Sequence, residues 1–288
     1  NNSNKKGRYI ELKYYFCNIM RVSIFITCLL SLLFSCNLPN KGIQEKTGLS
    51  IDSLQIDSTQ KHILKKDTLW CSVRMNIKYL SGKGASKLNK LILSNNIFPP
   101  FCNNDSLQNL PLKKRVNSFI QCFFNDLVTN VPSINNELNT SKNRYSYHYI
   151  LETTINSYKD NIISCVYHHR LAINELSEDD KWTECKNINL TTKKRLTLED
   201  IFVRGYEYTL NSLIKRQLLK QFKAKDTDAL LQQDVLLTDD INAPKNFIIK
   251  ENEVVFIYNN GEITNTNIGE IEIKIKNKDL KEILKDRE

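Results

Sequence analysis

The chain predicts an α+β fold: a mostly antiparallel sheet with helices packed on it, preceded by a small strand-helix unit. Three observations carry that prediction. Apolar side chains alternate at Leu69, Cys71, Val73, Met75, Ile77 and Tyr79, the pattern of a strand with one buried face. Residues Leu112 to Val131 instead stack Leu112, Val116, Phe119, Ile120, Phe123 and Leu127 on one helical face, and a helix packed on its own sheet accounts for such a stripe. Finally, strands follow one another in groups with helices set between the groups, which argues against a doubly wound sheet.

The elements then read off in order. Gly82 and Gly84 end the first strand, Ala85 to Asn95 carries Leu88, Leu91 and Ile92 at helical spacing, and Pro99-Pro100 closes the unit, since proline cannot continue a helix. After the polar stretch 132–143, Tyr145, Tyr147, Tyr149, Leu151, Thr153 and Ile155 alternate. Lys159-Asp160-Asn161 makes a turn, Ile162 to Leu171 returns, and Trp182 to Leu190 forms a third antiparallel strand. Arg195 to Phe202 precedes a helix from Glu207 to Phe222, with Leu210, Leu213, Ile214 and Leu218 inward. Strands at Ala243 to Ile249, Val254 to Tyr258 and Ile268 to Lys276 follow, and Asp279 to Leu284 reads as a short closing helix. The expected domains are a small strand-helix subdomain over 67–135 and a larger α+β domain over 136–288.

The N-terminal region reads as an export signal. Met20-Arg21-Val22-Ser23 supplies a cationic start, Ile24 to Phe34 an apolar run, and Ser35-Cys36 a small residue before cysteine. That run is shorter than the roughly 20 residues a membrane-spanning helix needs, and its anatomy is that of a secretory signal. Leu33-Phe34-Ser35-Cys36 resembles the bacterial lipobox, which makes Cys36 the expected site of lipidation, with palmitate or a similar acyl chain. Residues 1–19 read as upstream translation and 20–35 as the lipoprotein signal peptide. The expected location is a lipid-anchored, periplasm-facing position at the outer membrane, because Asn37 to Asn40 lack an acidic surface-export cluster.

Charge and cysteine content narrow the function. The formal net charge is +9. Residues 1–35 carry five cations against Glu11, so their removal leaves +5. That surplus comes without a Lys/Arg cluster interleaved with aromatics and predicts no nucleic-acid partner. Of eight cysteines, Cys71, Cys102, Cys122, Cys165 and Cys185 remain after the signal and the lipidated residue are set aside. Their spacing contains no CxxC, which argues against zinc and thioredoxin-like sites, while an exported chain can keep disulfides. Cys165 and Cys185 fall on neighbouring antiparallel strands and form a candidate disulfide, the alternative being two small buried thiols.

Residues 36–66 show no sustained period and read as a flexible linker. Within it, Asp52-Ser53-Leu54 and Asp57-Ser58-Thr59 resemble a short O-glycosylation acceptor, giving Ser53 and Ser58 as candidate sites. The histidines are His62, His148, His168 and His169. Adjacent strand residues point to opposite faces, so His168 and His169 cannot share one site. No P-loop, G-x-S-x-G or H-E-x-x-H occurs. No cofactor, metal or catalytic residue is expected.

Three features in order resemble the extracellular domain of the anti-sigma-V factor, a lysozyme-sensing protein, and its lipoprotein relatives. They are Arg195-Leu196-Thr197-Leu198-Glu199-Asp200-Ile201-Phe202, Asn246 to Ile249 before Val254 to Tyr258, and Glu262-Ile263, Gly269 and Ile271 to Ile275. The resemblance covers most of 68–284 and implies a binding domain. It departs at Asn174 to Asp180 and at 259–268, which implies a different partner if those loops do the recognising. The exposed Asn/Thr loop, with Asn259, Asn260, Glu262, Asn265 and Asn267, is the candidate recognition surface. The expected function is a non-enzymatic, lipid-anchored envelope module that binds a protein or a cell-wall component. A structural subunit of an envelope complex and a hydrolase are the alternatives. A pocket lined by titratable groups would point to the hydrolase, and an exposed apolar or aromatic patch beside 259–268 to a binder.

Overall fold

Strands that follow each other in the chain also neighbour each other in space. A computed structural model describes residues 48–64, 67–94, 97–98, 110–138, 144–157, 161–173, 179–264 and 268–285, all within one compact unit, Gly42–Glu288. The first sheet runs in sequence order through β1 (Ser50–Leu64), β2 (Asp67–Ser81), β3 (Arg144–Ser157), β4 (Ile162–Ile173), β5 (Asp180–Asn189) and β6 (Lys194–Leu196). Only β2 and β3 pair in parallel, and α1 (Ala85–Ile92) and α2 (Leu112–Leu138) lie in the crossover between them. A second, antiparallel sheet holds β7 (Phe247–Ile249), β8 (Glu253–Tyr258) and β9 (Ile271–Lys276). Before it come α3 (Leu198–Ile201), α4 (Glu207–Gln221) and α5 (Thr227–Gln232). The α+β class read from the sequence holds.

Alternation decides which face of each strand is dry. Leu69, Val73, Met75 and Ile77 of β2 and Tyr147, Tyr149 and Leu151 of β3 turn towards α1 and α2, where Phe119 stacks 4.7 Å from Phe98 and 5.2 Å from Tyr149. Each such buried ring or aliphatic chain contributes about 1.5–3 kcal/mol. A separate core joins Leu210, Ile214 and Leu218 of α4 to Val254, Phe256 and Ile273 of the second sheet. Between the two sheets, Val166 and Cys185 meet Ile248, Val255 and Ile257.

Asparagine amides seal the backbone where strands run out of partners. Asn89 of α1 accepts from Leu80 N–H at 2.8 Å and donates to Leu80 O at 2.7 Å. Asn187 of β5 does the same for β7, donating to Phe247 O at 2.8 Å and accepting from Ile249 N–H at 3.1 Å. A side-chain amide carries one donor group and one acceptor in a plane, so it imitates a strand's own peptide group. Ser164 completes the second clamp by donating to Asn187 Oδ1 at 2.6 Å.

Several expectations change. The expected linker is not wholly irregular: Ser50–Leu64 is β1, and each of its residues has a partner on β2. Ser53 and Ser58 therefore stand in a regular edge strand, opposite Lys78 and the buried Val73, on opposite faces of the sheet. The boundary expected at 135/136 is also absent, because β2 of the small unit pairs with β3 of the larger one and both share a core. The closing stretch after β9 forms turns rather than a helix, ending in a bridge between Phe202 and Leu284. Residues 1–36, and with them the signal and Cys36, lie outside the described residues.

The candidate Cys165–Cys185 disulfide is corrected. In the observed register Cys165 faces Lys186 and Val166 faces Cys185, so the two sulfurs occupy opposite faces of the sheet. Shifting the assumed register by one residue is enough, since it inverts the face of every side chain. Both thiols are free and buried, as is Cys71. Burial pushes the Cys165 thiol up to about 12 and that of Cys71 to about 11. Cys122, in α2, is disulfide-bonded.

Candidate functional site

The face of β3–β5 turned away from α1 and α2 is only partly covered by the second sheet. There the ladder sets Ile150 beside Arg170, Glu152 beside His168, and His168 beside Thr183. Together with Asp179, Lys181 and, across the gap, Asn260, Gly269 and Glu270, these residues line a cleft of about 710 Å³. Arg170 Nε donates to Asp179 Oδ2 at 2.5 Å, and Lys181 Nζ lies 3.9 Å from the same oxygen. His168 Nδ1 lies 3.0 Å from Thr183 Oγ1. The far wall owes its path to Gly269, whose φ of 87° is a left-handed conformation that suits glycine.

The candidate recognition loop divides into two roles. Asn259 is a third amide clamp: it accepts from Thr183 N–H at 2.6 Å and donates to Thr183 O at 3.1 Å, where β5 extends past the end of β6. Asn246 donates to the same carbonyl at 2.7 Å. Glu262 holds the clamp in place by accepting from Asn259 N–H at 3.0 Å and from its Nδ2 at 3.3 Å. Asn259 and Glu262 thus fasten the loop to the first sheet. Asn260 lines the cleft, and Asn265 and Asn267 lie outside the described residues.

His168 and His169 face opposite ways, as strand geometry requires. His169 is 3% exposed and stacks on Trp182 with ring centroids 4.6 Å apart. Its Nδ1 lies 2.9 Å from Tyr149 Oη, and its buried Nε2 has no hydrogen-bond partner among the described residues. Burial, reinforced by His168 and Lys186, pulls its pKa down to about 4. The ring is therefore neutral near pH 7. His148 pairs with Ser72 Oγ on an exposed surface. Among the described residues, no three of His, Cys, Asp and Glu converge on a position fit for a metal.

One buried ionisable group carried no signal in the sequence. Lys186 is 2% exposed, and its amine donates to Ile92 O at 3.2 Å and Ser94 Oγ at 3.1 Å while lying 4.7 Å from the centre of the Tyr167 ring. Tyr167 Oη donates to the same Ile92 carbonyl at 2.6 Å. The cation sits at the C-terminal end of α1, where the helix dipole favours positive charge. Burial brings its pKa down to about 8.

Residues 199–278 match the model of a family described as a protein of unknown function, DUF3298. The C-terminal region carries a DUF3298 domain. It spans most of the elements from α3 to β9, so the cleft lies at the seam between this domain and the strands before it. Its opening helix is pinned by Asp200, whose carboxylate accepts from Thr197 N–H at 2.8 Å and from Thr197 Oγ1 at 3.0 Å. A solved structure of a DUF3298 family member from Bacteroides fragilis is similar to this chain at a TM-score of 0.68 and 22% identity, covering 83% of this chain and 94% of that one. A DUF3298 family protein from Pseudomonas aeruginosa follows at a TM-score of 0.53 and 14% identity, covering 82% of this chain and 94% of that one. At these identities the likeness is one of fold. No match was found among curated proteins.

Proposed function

We propose that this chain is a non-enzymatic binding module of the bacterial cell envelope, exported and lipid-anchored through Cys36, which takes a protein or a cell-wall component in the cleft at the seam of its two sheets. The observation that carries this reading is the cleft itself. Arg170 and Lys181 share the single carboxylate of Asp179 on its rim, while Glu152 and Glu270 have no ion-pair or hydrogen-bond partner among the described residues. Two unspent carboxylates, with the exposed Ile268 two residues before Glu270, are what a ligand with donors and an apolar surface would meet. The signal anatomy of Met20 to Cys36 supports the location.

The test is capture from envelope extract with the full-length chain and with Glu152→Lys combined with Glu270→Lys. Both positions are exposed, so the variant is expected to fold normally and to lose the partner that the unaltered chain retains. Equal capture by both would sink the cleft as the binding surface. The anchor has its own test: metabolic labelling with a fatty-acid analogue is expected to mark the protein and to fail on Cys36→Ser. One observation favours a hydrolase instead, namely that Glu152, Glu270 and His168 line the same cleft. That reading requires turnover of an envelope polymer that Glu152→Gln and Glu270→Gln abolish.

A further inference from the structure

A second cavity, of about 790 Å³, lies away from the cleft, where the end of the β1–β2 hairpin meets α1 and the first turn of α2. Its wall carries Lys90, Lys113 and Arg115, and no aspartate or glutamate occurs among its described lining residues. Leu54, Leu80 and Leu93 supply an apolar side. The size is that of a small-molecule site.

Among the described residues, positive charge gathers there without a carboxylate in three ways. Arg115 is 8% exposed, donates through Nη1 to Leu93 O at 2.5 Å, and has no carboxylate within ion-pair distance among the described residues. A buried guanidinium without a counter-charge is expensive to hold, and burial pulls its pKa below the ordinary arginine value. Next, the first turn of α2 contains Lys113, Lys114 and Arg115 with no acidic residue, the reverse of what the dipole at a helix N-terminus favours. The backbone N–H groups of Leu112 and Lys113 there have no partner among the described residues. Third, Ser94, also on the cavity wall, accepts from the buried Lys186 amine, which sets a further cation behind that wall.

We propose that this cavity binds a small organic anion, with its phosphate or carboxylate group held between Arg115, Lys113 and the first turn of α2, and its apolar body along Leu54, Leu80 and Leu93. The anion supplies a counter-charge that Arg115 does not find among the described residues, and the amides of a helix N-terminus are suited to its oxygens. The mixed lining sets the ligand class: a bare inorganic ion would leave the leucine side empty, and an uncharged lipid would leave the guanidinium unpaired.

Octyl phosphate, octanoate and octanol, each titrated calorimetrically into the full-length chain at constant ionic strength, test this directly. At least one of the two anions is expected to saturate a single site, and the preferred one distinguishes a phosphate from a carboxylate ligand. Octanol is expected to bind at least about tenfold more weakly, and Lys90→Glu combined with Lys113→Glu to weaken the anion by a similar factor, about 1.4 kcal/mol. Both lysines are exposed, so the unliganded variant is expected to melt like the unaltered chain. No saturation by either anion up to about 10 mM, a range equivalent to less than roughly 3 kcal/mol of binding, overturns the proposal. So does octanol binding as well as the anions, or a charge-reversed variant that binds as tightly. Cleft variants at Glu152 and Glu270 are expected to leave this titration unchanged, which separates the result from that of the proposed function.

Discussion

β1 and β9 are both edge strands, yet they are held in opposite ways. β9 buries Ile271, Ile273 and Ile275 against α4 and its own sheet while Glu272, Lys274 and Lys276 face water. β1 is more than twice as long, pairs with β2 over its whole length, and buries none of its described side chains fully. Its attachment rests on the backbone ladder and on half-buried Ile51, Leu54 and Ile56. The contrast separates two sources of strand stability. Apolar burial writes an alternating pattern into the sequence, whereas backbone pairing uses groups every residue possesses.

The widest gap is expected in the core. Ile273 is fully buried, so Ile273→Ala should cost roughly 2–5 kcal/mol. Ile56→Ala, in the half-buried strand, should cost at most about 1 kcal/mol on the same area basis. Urea midpoints measure both, and equal losses would erase the distinction between the two edges.

The amide clamps sharpen the comparison, because they fasten edges without apolar burial. Asn187→Ala strands Phe247 O and Ile249 N–H in a buried setting and leaves Ser164 Oγ only its bond to Ile249 O, at an expected cost of about 3 kcal/mol. Asn259→Ala acts at a half-buried position that water can partly satisfy, and about 1–2 kcal/mol is expected. Thermal unfolding of the two variants gives the ranking, and a larger loss at Asn259 would reverse it.

Acid should strike the first sheet through His169. Its folded pKa, about 4, lies below the ordinary 6.5, so between these values the unfolded chain binds more protons. Stability is therefore complete above about pH 6.5 and falls as pH drops towards 4, by no more than about 3 kcal/mol. His169→Phe should flatten that part of the profile measured by urea unfolding. Lys186 acts with the same sign in alkali: with a folded pKa of about 8 against 10.5, it should let stability rise across that window. Lys186→Met should remove the rise without weakening the fold at pH 7.

The smallest effect is dynamic. Amide exchange is expected to be about tenfold faster in β1 than in β9, a difference of roughly 1.4 kcal/mol in local opening. Slower exchange in β1 would show that the long ladder outweighs buried isoleucines.

Where burial drives the element, the sequence was readable. The period of two at Leu69 to Ile77 and the helical stripe of Val116, Phe119 and Phe123 correspond to β2 and α2 as observed. β1 escaped because its polar Asp52-Ser53 and Asp57-Ser58-Thr59 interrupt any pattern, and α5 escaped because it is only six residues long. In the candidate site the loop position was visible and its chemistry was not. Asn259 and Glu262 resemble surface residues in one dimension, and only the free edge of β5 beside them makes them fasteners.

The chain by itself determined the α+β class, the existence and order of most strands and helices, and the opposed faces of His168 and His169, because period and alternation are local properties. Tertiary structure alone decided the partners. It placed Cys165 opposite Lys186, drew that lysine beneath α1, laid β1 along β2, and brought Glu152 and Glu270 to one cleft from segments remote in sequence. The physical reason is register. A shift of one residue inverts every side chain of a strand, and what selects the shift is the fit of whole faces, which no local stretch contains.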